Sequence, residues 1–324
     1  MTKNNRVPSF LVHCLLIASF FAIASCTAPR PKKPYTIPPI NVASAAPESY
    51  AWPNATASNA ITDLNQEINF SQSAASRIQL PLRKIETKYF ILFTNVPEDQ
   101  SIDFLSDLDQ MYTNVIELLN MPPQLNIWKG KAAVYLFNTR EQFIRFEKNM
   151  YNNTITFQAA ICHQHYSGEV RIATYNMKDK EYLHQLMVHE AAHGIIHRYR
   201  SPHRIPTWLN EGLAEWAAMS TQQDQSYYTF KKRLSAKFIA NKEHFPKTFF
   251  GPSDFIPEYY GTALAITDML IAQGKTDFIR FIDHIKSGKS WQNALNTTYG
   301  MTPSALVAAY GNTIDLTSLT IKAE

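Results

Sequence analysis

The spacing of apolar and polar residues divides the chain from residue 88 onward into a sheet-forming part and a helical part. In the first part, short apolar runs of strand length alternate with stretches in which apolar residues recur every three or four positions, the patterns of strands and amphipathic helices. Ser167-Gly168 lies between the last two runs and predicts a hairpin turn. The expected elements are strands 89–94, 131–137, 157–162 and 169–175, and helices 101–119 and 139–148, the latter capped by Thr139.

Beyond residue 179 the pattern is helical almost throughout, and no internal repeat is evident. Breaks between the helical stretches coincide with polar, Gly and Pro residues. The chain is therefore predicted to be α+β, with a small sheet-bearing lobe over 84–200 and a mainly helical lobe over 201–324. The expected helices are 180–200, 207–220, 228–240, 258–273, 275–286, 290–298 and 303–311.

Residues 27–83 differ from both lobes in composition. They are rich in Pro, Ala, Ser and Asn and show no sustained apolar period. Such a segment buries too little apolar surface to offset the entropy lost on ordering. It is expected to be a disordered tether ahead of the folded part.

The first 26 residues have the pattern of an export signal. A positively charged start precedes an apolar run, 10–24, which is too short for a confident membrane span. Ile23-Ala24-Ser25-Cys26 resembles the lipobox of bacterial lipoproteins, in which the peptide is cut before a cysteine that carries lipid. An ordinary signal or an uncut anchor helix is the alternative. The resemblance implies attachment through Cys26 at the cell envelope, and Thr27 in place of Asp favours an outer-membrane lipoprotein facing the periplasm.

Charge and cysteine content bear on nucleic-acid binding and on disulfide formation. The formal net charge is +4 and the Lys and Arg residues are scattered, so nucleic acid is not expected to bind. If Cys26 carries lipid and Cys14 leaves with the signal, Cys162 alone remains and no disulfide can form within the chain. Cys162 and His163 point to opposite faces of a strand. Cys162 is therefore interpreted as a buried structural residue, not a nucleophile.

The sequence His189-Glu190-Ala191-Ala192-His193 carries the candidate chemistry. On a helix, histidines four residues apart lie on one face about a turn apart, so both imidazoles can reach one ion. Glu190 lies next to the first histidine, where it can act on a water at the metal instead of on the metal itself. Five residues of this kind also occur by chance, so a second element is needed.

That second element is the predicted helix 207–220, which carries Glu211 and Glu215 four residues apart. Both carboxylates fall on one helical face, close in sequence to the two histidines. The two carboxylates together can supply a third metal ligand and an acidic group that supports the ligands.

The two segments together resemble the gluzincin, or peptidase MA-like, clan, which includes thermolysin and the aminopeptidase N family. In that clan a Glu on the helix after the two histidines completes a zinc site, often within Trp-Leu-Asn-Glu-Gly, as at 208–212 here. Glu211 matches that ligand, and Glu215 matches an acidic residue that in thermolysin bonds the first histidine. Seventeen residues separate His193 from Glu211, slightly fewer than in those enzymes, which implies a tighter connection.

The resemblance also implies a gluzincin-like fold with the zinc site in the cleft between the two lobes. The segment 259–265 resembles the start of the helix that supplies a tyrosine donor to the transition state, and Tyr260 aligns best with that donor. A core or surface role for Tyr260 is the alternative. Strand 169–175 is expected to be the edge strand along which an extended peptide pairs.

Other histidines fit a metal site less well. A metzincin has a third histidine six residues after the second, and that position is Tyr199 here. His197 is expected at the fraying end of its helix. His163, His165 and His203 have no second partner at useful spacing and are interpreted as surface residues.

These residues predict a zinc-dependent metallopeptidase that acts on a peptide or protein. Two histidines and one carboxylate leave Zn²⁺ an open position for water, with Glu190 as the general base. Two other functions are compatible with the same residues. One is a zinc-dependent amidase acting on a cell-wall or other non-protein amide, and the other is a non-catalytic lipoprotein binding module.

Overall fold

The structure, a computed structural model, describes residues 52, 57–122, 124–242, 244–251 and 255–322. All of them belong to one compact unit. The predicted signal segment 1–26, with Cys26, lies outside the described residues, as does most of the first half of the predicted tether. In the described part of the chain, no helix is both long and apolar enough to cross a bilayer.

A five-stranded mixed sheet forms the centre of the first half of the fold. Its order is β1-β2-β3-β5-β4. The three inner strands run parallel, and β1 and β4 pair antiparallel at the two edges. The strands are β1 (Arg83–Glu86), β2 (Phe90–Thr94), β3 (Ala132–Phe137), β4 (Ala160–Gln164) and β5 (Val170–Tyr175).

Helices cover the sheet and make up almost all of the second half, so the predicted α+β class is confirmed. They are α1 (Ala57–Ile78), α2 (Glu98–Leu118), α3 (Arg140–Tyr151), α4 (Lys180–Arg198), α5 (Thr207–Ser220), α6 (Ser226–Ala240), α7 (Tyr260–Gln273), α8 (Lys275–Lys286), α9 (Trp291–Tyr299) and α10 (Pro303–Thr313). Short 3-10 turns occupy Lys247–Phe250 and Pro257–Tyr259.

The inner strands are buried on both faces because different helices pack on each. Side chains alternate along a strand, so Ile91 and Phe93 of β2 face a cluster with α1 and α3. Phe90 faces the opposite side, where its ring contacts Tyr112 of α2. On that second face α4 packs against both β4 and β5. The helix that carries the two histidines therefore rests directly on the sheet.

Two local predictions are confirmed in detail. Thr139 caps α3 by a capping box with Gln142, and Phe143 and Phe146 are buried beneath that helix. β4 and β5 form the predicted hairpin, with Gly168 at φ +98° in its turn. That angle is readily adopted only by glycine.

The prediction that 27–83 is a disordered tether is wrong for its second part. Residues 57–78 form α1, which packs on α3, and 83–86 form β1. Ala74 and Ile78 of α1 are fully buried, and Leu64, Ile68 and Phe70 pack against the same core cluster. Much of its attachment is polar, because Glu67 accepts two hydrogen bonds of 2.8 Å from Arg171. The Pro-, Ser- and Asn-rich composition of 27–83 as a whole masks this helix, although Leu64, Ile68, Ala74 and Ile78 pack on one core cluster.

The prediction that 169–175 forms the edge strand is also wrong. β5 lies between β3 and β4, and β4 is the edge. Burial accounts for this order, since β5 is mostly buried whereas four of the five residues of β4 are partly exposed. The hairpin pattern identifies the pair but not which member joins the sheet interior.

Candidate metal centre

Helix α4 brings His189 and His193 together on one face. Their Nε2 atoms lie 3.0 Å apart and their rings are nearly perpendicular. Gly194 lets α4 lie close to the sheet, because a Cβ at that position would come within 2.7 Å of Val170. Asp179 caps the start of the helix by accepting from the N–H of Tyr182. The two imidazoles are thus held on a rigid, well-anchored element.

Helix α5 supplies the third group. Oε2 of Glu211 lies 3.4 Å from Nε2 of His189 and 3.5 Å from Nε2 of His193. A tetrahedral ion with bonds of about 2.0–2.2 Å holds its ligand atoms about 3.4 Å apart. Oε2 of Glu211 is also buried and makes no hydrogen bond of normal geometry within the described residues. The three residues can therefore hold a metal ion.

The charges of this cluster favour an ionised carboxylate. Burial opposes ionisation of Glu211, but His193 and His189 outweigh it and hold the pKa of Glu211 well below its usual range. In return, against the effect of burial, Glu211 raises the pKa of His193 to about 9. A metal ion must displace this proton to bind, so its affinity depends on pH.

Glu190 lies beside the three candidate ligands. It is 8% exposed and lies near the backbone of Cys162 on β4. Burial raises the pKa of Glu190, and the two histidines partly oppose that rise. A carboxylate with a raised pKa is a better proton acceptor, which is the property a general base needs.

Glu215 lies behind His189, but its strongest partner was not predicted. Oε1 of Glu215 is 3.6 Å from Nδ1 of His189, which is longer than a hydrogen bond. Lys231 of α6 instead contacts both oxygens of Glu215, at 2.7 and 2.8 Å. No pattern around Lys231 marks it in the sequence, because this contact depends on the packing of α6 against the site.

Tyr260 stands at the start of α7, next to the metal helix. Its ring centroid is 6.5 Å from that of His189. Gly212, which follows Glu211, permits this approach, because a Cβ there would come within 2.5 Å of the Ala263 carbonyl on α7. Burial, with the nearby carboxylates, raises the pKa of Tyr260, so its hydroxyl remains a proton donor.

A polar cavity of about 380 Å³ opens over these residues. Edge strand β4 forms one wall, and His189, Glu190, Glu211 and Tyr260 line the other side. The backbone N–H of His165 donates to the carbonyl of Glu169, so these two residues form a hydrogen-bonded pair of the β4–β5 hairpin. In an antiparallel ladder, hydrogen-bonded and non-hydrogen-bonded pairs alternate. The backbone groups of alternate residues 160, 162 and 164 therefore point away from β5.

Cys162 and the remaining histidines do not join the candidate ligands. Cys162 is partly exposed and lines the cavity, so its interpretation as a buried residue is wrong. Desolvation nevertheless raises the pKa of its thiol well above the usual range, which disfavours the nucleophilic thiolate. On the other face of β4, His163 pairs with buried Glu147 at 2.8 Å and stacks on Tyr151, so its assignment as a surface residue is wrong. His165 and His203 are exposed, as predicted.

His197 does not lie at a fraying helix end, contrary to the prediction. It is 5% exposed, and its Nε2 donates to the His165 carbonyl at 2.9 Å. Trp52 packs edge-on against its ring. Tertiary packing therefore holds the last turn of α4 in place.

Comparison with known proteins adds no family assignment: no family model matches the sequence, and no curated protein gives a significant match.

Proposed function

We propose that this protein is a zinc-dependent metallopeptidase of the gluzincin type. One observation carries the proposal: Oε2 of Glu211 lies 3.4 Å from Nε2 of His189 and 3.5 Å from Nε2 of His193, close to the spacing of ligands around a tetrahedral ion. The two Nε2 atoms are 3.0 Å apart, and Glu190 lies beside them. Two imidazoles and one carboxylate are also a donor set typical of catalytic zinc. Structural zinc sites use four protein ligands, whereas three leave room for reaction.

The proposed chemistry divides between the ion and the chain. When bound at His189, His193 and Glu211, zinc polarises the scissile carbonyl and makes water acidic near neutral pH. Glu190 accepts the proton of the attacking water and later passes it to the leaving amine. The hydroxyl of Tyr260 donates a hydrogen bond to the oxyanion that develops on the carbonyl oxygen, an effect typically worth about 3 kcal/mol.

The rest of the site orients these groups. Glu215 faces Nδ1 of His189 and favours the tautomer whose Nε2 is free for the metal. The outward backbone groups of β4 supply donors and acceptors for an extended peptide, which would add as a further strand beside the site. Peptide-bond hydrolysis is proposed because this edge runs along the wall of the cavity.

The proposed location is the cell envelope. The signal-like start of the chain and the lipobox-like sequence ending at Cys26 favour a lipid anchor on the outer membrane, with the folded part facing the periplasm. Metabolic labelling with a radioactive fatty acid tests this, since the full chain should take up label and Cys26→Ser should not. Equal labelling of both would exclude Cys26 as the anchor.

The function itself is tested with a complex peptide mixture. The purified full chain should retain about one zinc per chain and cleave peptides within the mixture. Glu190→Gln should retain the zinc and lose turnover by about a hundredfold or more. Glu181→Gln, an exposed carboxylate on the same helix, is the matched control and should cleave normally. Equal cleavage by wild type and Glu190→Gln would show that the proposed mechanism is wrong.

A further inference from the structure

A second cavity continues from the candidate metal centre toward the C-terminal end of α4. Its volume is about 100 Å³. Gln164, Arg204 and Asn210 line both this cavity and the larger one over the metal ligands. A substrate held at the metal can therefore extend a side chain or a terminus into the second cavity without leaving the cleft.

Positive charge is concentrated around this second cavity. Lys286 of α8 lines it and is only 1% exposed. The exposed Arg204, in the connection between α4 and α5, stands at the boundary with the metal cavity. Within the described residues, neither cation forms an ion pair with a carboxylate. Among the residues that the structure describes, no Asp or Glu lines the second cavity.

Lys286 retains hydrogen-bonding capacity. Its Nζ donates to the carbonyls of Ile196 at 2.9 Å and His197 at 3.2 Å. A protonated lysine has three N–H donors, so one remains after these two bonds. Burial, with the nearby charge of Arg198, lowers the pKa of Lys286 to about 7. An anion in the cavity would stabilise its charged form.

The start of α5 adds to the positive potential. Thr207, its first residue, lines the same cavity, and no side chain caps this helix. The first N–H groups of a helix lack partners within the helix and attract negative charge. The cavity therefore combines a buried cation, a cation at its entrance and an uncapped helix start.

We infer that this second cavity binds a carboxylate of the substrate, with Arg204 as its ion-pair partner and Lys286 as a donor from within. The inference rests on the proposed peptidase function, because it places the carboxylate a short distance along the chain from the scissile bond. Two sources share this chemistry: the free C-terminus of a peptide, and an Asp or Glu side chain. The volume accommodates a carboxylate and a short stem, not a large aromatic group.

The experiment uses the zinc-loaded full chain and matched peptides built around a site that the wild type cleaves. One pair differs only in a C-terminal acid or amide. A second set replaces Glu by Gln at each position flanking the scissile bond. Cleavage by wild type and Arg204→Gln is compared as kcat/KM. Arg204 is exposed and is placed outside the proposed metal site and base, so its substitution should leave the fold intact.

The inference predicts that the wild type prefers one of the carboxylate peptides about tenfold to a hundredfold, as expected for charge-assisted hydrogen bonds. Arg204→Gln should cleave acid and amide forms about equally. Arg280→Gln, which removes an arginine from an exposed pair on α8, should keep the wild-type preference. A preference within the acid/amide pair would identify the C-terminus of the peptide as the source of the carboxylate. A preference within the Glu/Gln set would identify a side chain.

No preference in the wild type, or an equal preference in Arg204→Gln, overturns the inference while the peptidase function stands. If the wild type cleaves no peptide, binding of butyrate and butyramide decides instead. Wild type and Arg204→Gln share the zinc site, so butyrate bound to zinc would not differ between them. About tenfold weaker butyrate binding by Arg204→Gln, with unchanged butyramide binding, would support the carboxylate pocket even without peptidase activity. Equal butyrate binding by both proteins overturns the inference.

Discussion

Two buried carboxylates in different parts of the molecule have contrasting surroundings. Glu67 on α1 is 3% exposed and accepts two hydrogen bonds of 2.8 Å from Arg171. Glu211 on α5 is also largely enclosed, but its Oε2 faces two imidazole nitrogens at 3.4 and 3.5 Å and makes no normal hydrogen bond in the described part of the chain.

The difference separates a charge that is fully paired within the protein from one that could serve as a metal ligand. A buried carboxylate is costly unless it is paired and hydrogen-bonded. Glu67 is satisfied within the protein, and its pair fastens α1 to the sheet. Glu211 is only partly satisfied by protein groups, and a metal ion would complete its pairing. Incomplete pairing at a rigid, buried position is therefore the structural feature that supports the metal assignment.

The largest effect is expected at Glu211. Glu211→Gln keeps the shape of the side chain but removes a charged ligand from an ion whose binding to a protein site is worth on the order of 10 kcal/mol. Losing one of three protein ligands should cost about 4 kcal/mol, or about a thousandfold in zinc affinity. Competition with a fluorescent chelator measures this. An unchanged affinity would remove Glu211 from the ligand set.

Glu67 should show the opposite behaviour. Glu67→Gln leaves Arg171 without its charged partner in a mostly buried position, which should reduce the free energy of unfolding by about 3 kcal/mol. Urea denaturation measures that loss, and zinc affinity should not change. If Glu67→Gln weakened zinc binding as strongly as Glu211→Gln, the distinction between the two carboxylates would fail.

Lys231 tests the role of Glu215, the carboxylate behind the candidate metal ligand His189. Lys231→Met should weaken zinc binding by about tenfold to a hundredfold, because Glu215 would lose the two bonds that fix its carboxylate behind His189. Lys231→Arg should restore part of the affinity. The neighbouring Lys232 pairs with the more exposed Asp268, so Lys232→Met is the matched control. Equal zinc affinities of the two Met variants would assign Lys231 no role in the site.

A smaller, pH-dependent effect is expected at His197. Burial lowers the pKa of His197 to about 4, below the ordinary value of about 6.5. The unfolded chain therefore takes up this proton first as the pH falls, and the stabilising contribution, complete above about pH 6.5, is lost toward pH 4. His197→Gln should flatten the fall in thermal midpoint over this window, whereas His203→Gln should not. Parallel curves for wild type and His197→Gln would contradict the assignment.

The parts of the site that could be predicted from sequence are those encoded locally. His189, Glu190 and His193 share two turns of one helix, so their spacing alone places them on one face. Glu211 and Glu215 lie on the next helix, and the structure brings Glu211 to the histidines as the resemblance implied. The strands, the α3 cap and the helices after residue 179 follow from local periodicity in the same way.

The parts that could not be predicted depend on contacts between distant segments. Lys231 meets Glu215 only because α6 packs against α7, which in turn packs against α5. Arg204 reaches the cavity only through the course of its loop. α1 escaped prediction because the Pro-, Ser- and Asn-rich composition of 27–83 outweighed its apolar residues. Its ion pair with Arg171, more than a hundred residues away, has no local signal in the sequence. The position of β4 at the edge depends on pairing between β3 and β5, which neither strand's own sequence specifies.

X-ray absorption at the zinc edge of the loaded full chain identifies the ligand atoms of the metal. We expect two imidazole nitrogens and oxygen ligands at about 2.0–2.2 Å, with no sulfur. In His193→Ala one imidazole should be lost. A sulfur ligand at about 2.3 Å would assign Cys162 to the metal and contradict the site formed by His189, His193 and Glu211. Identical spectra from wild type and His193→Ala would contradict it as well.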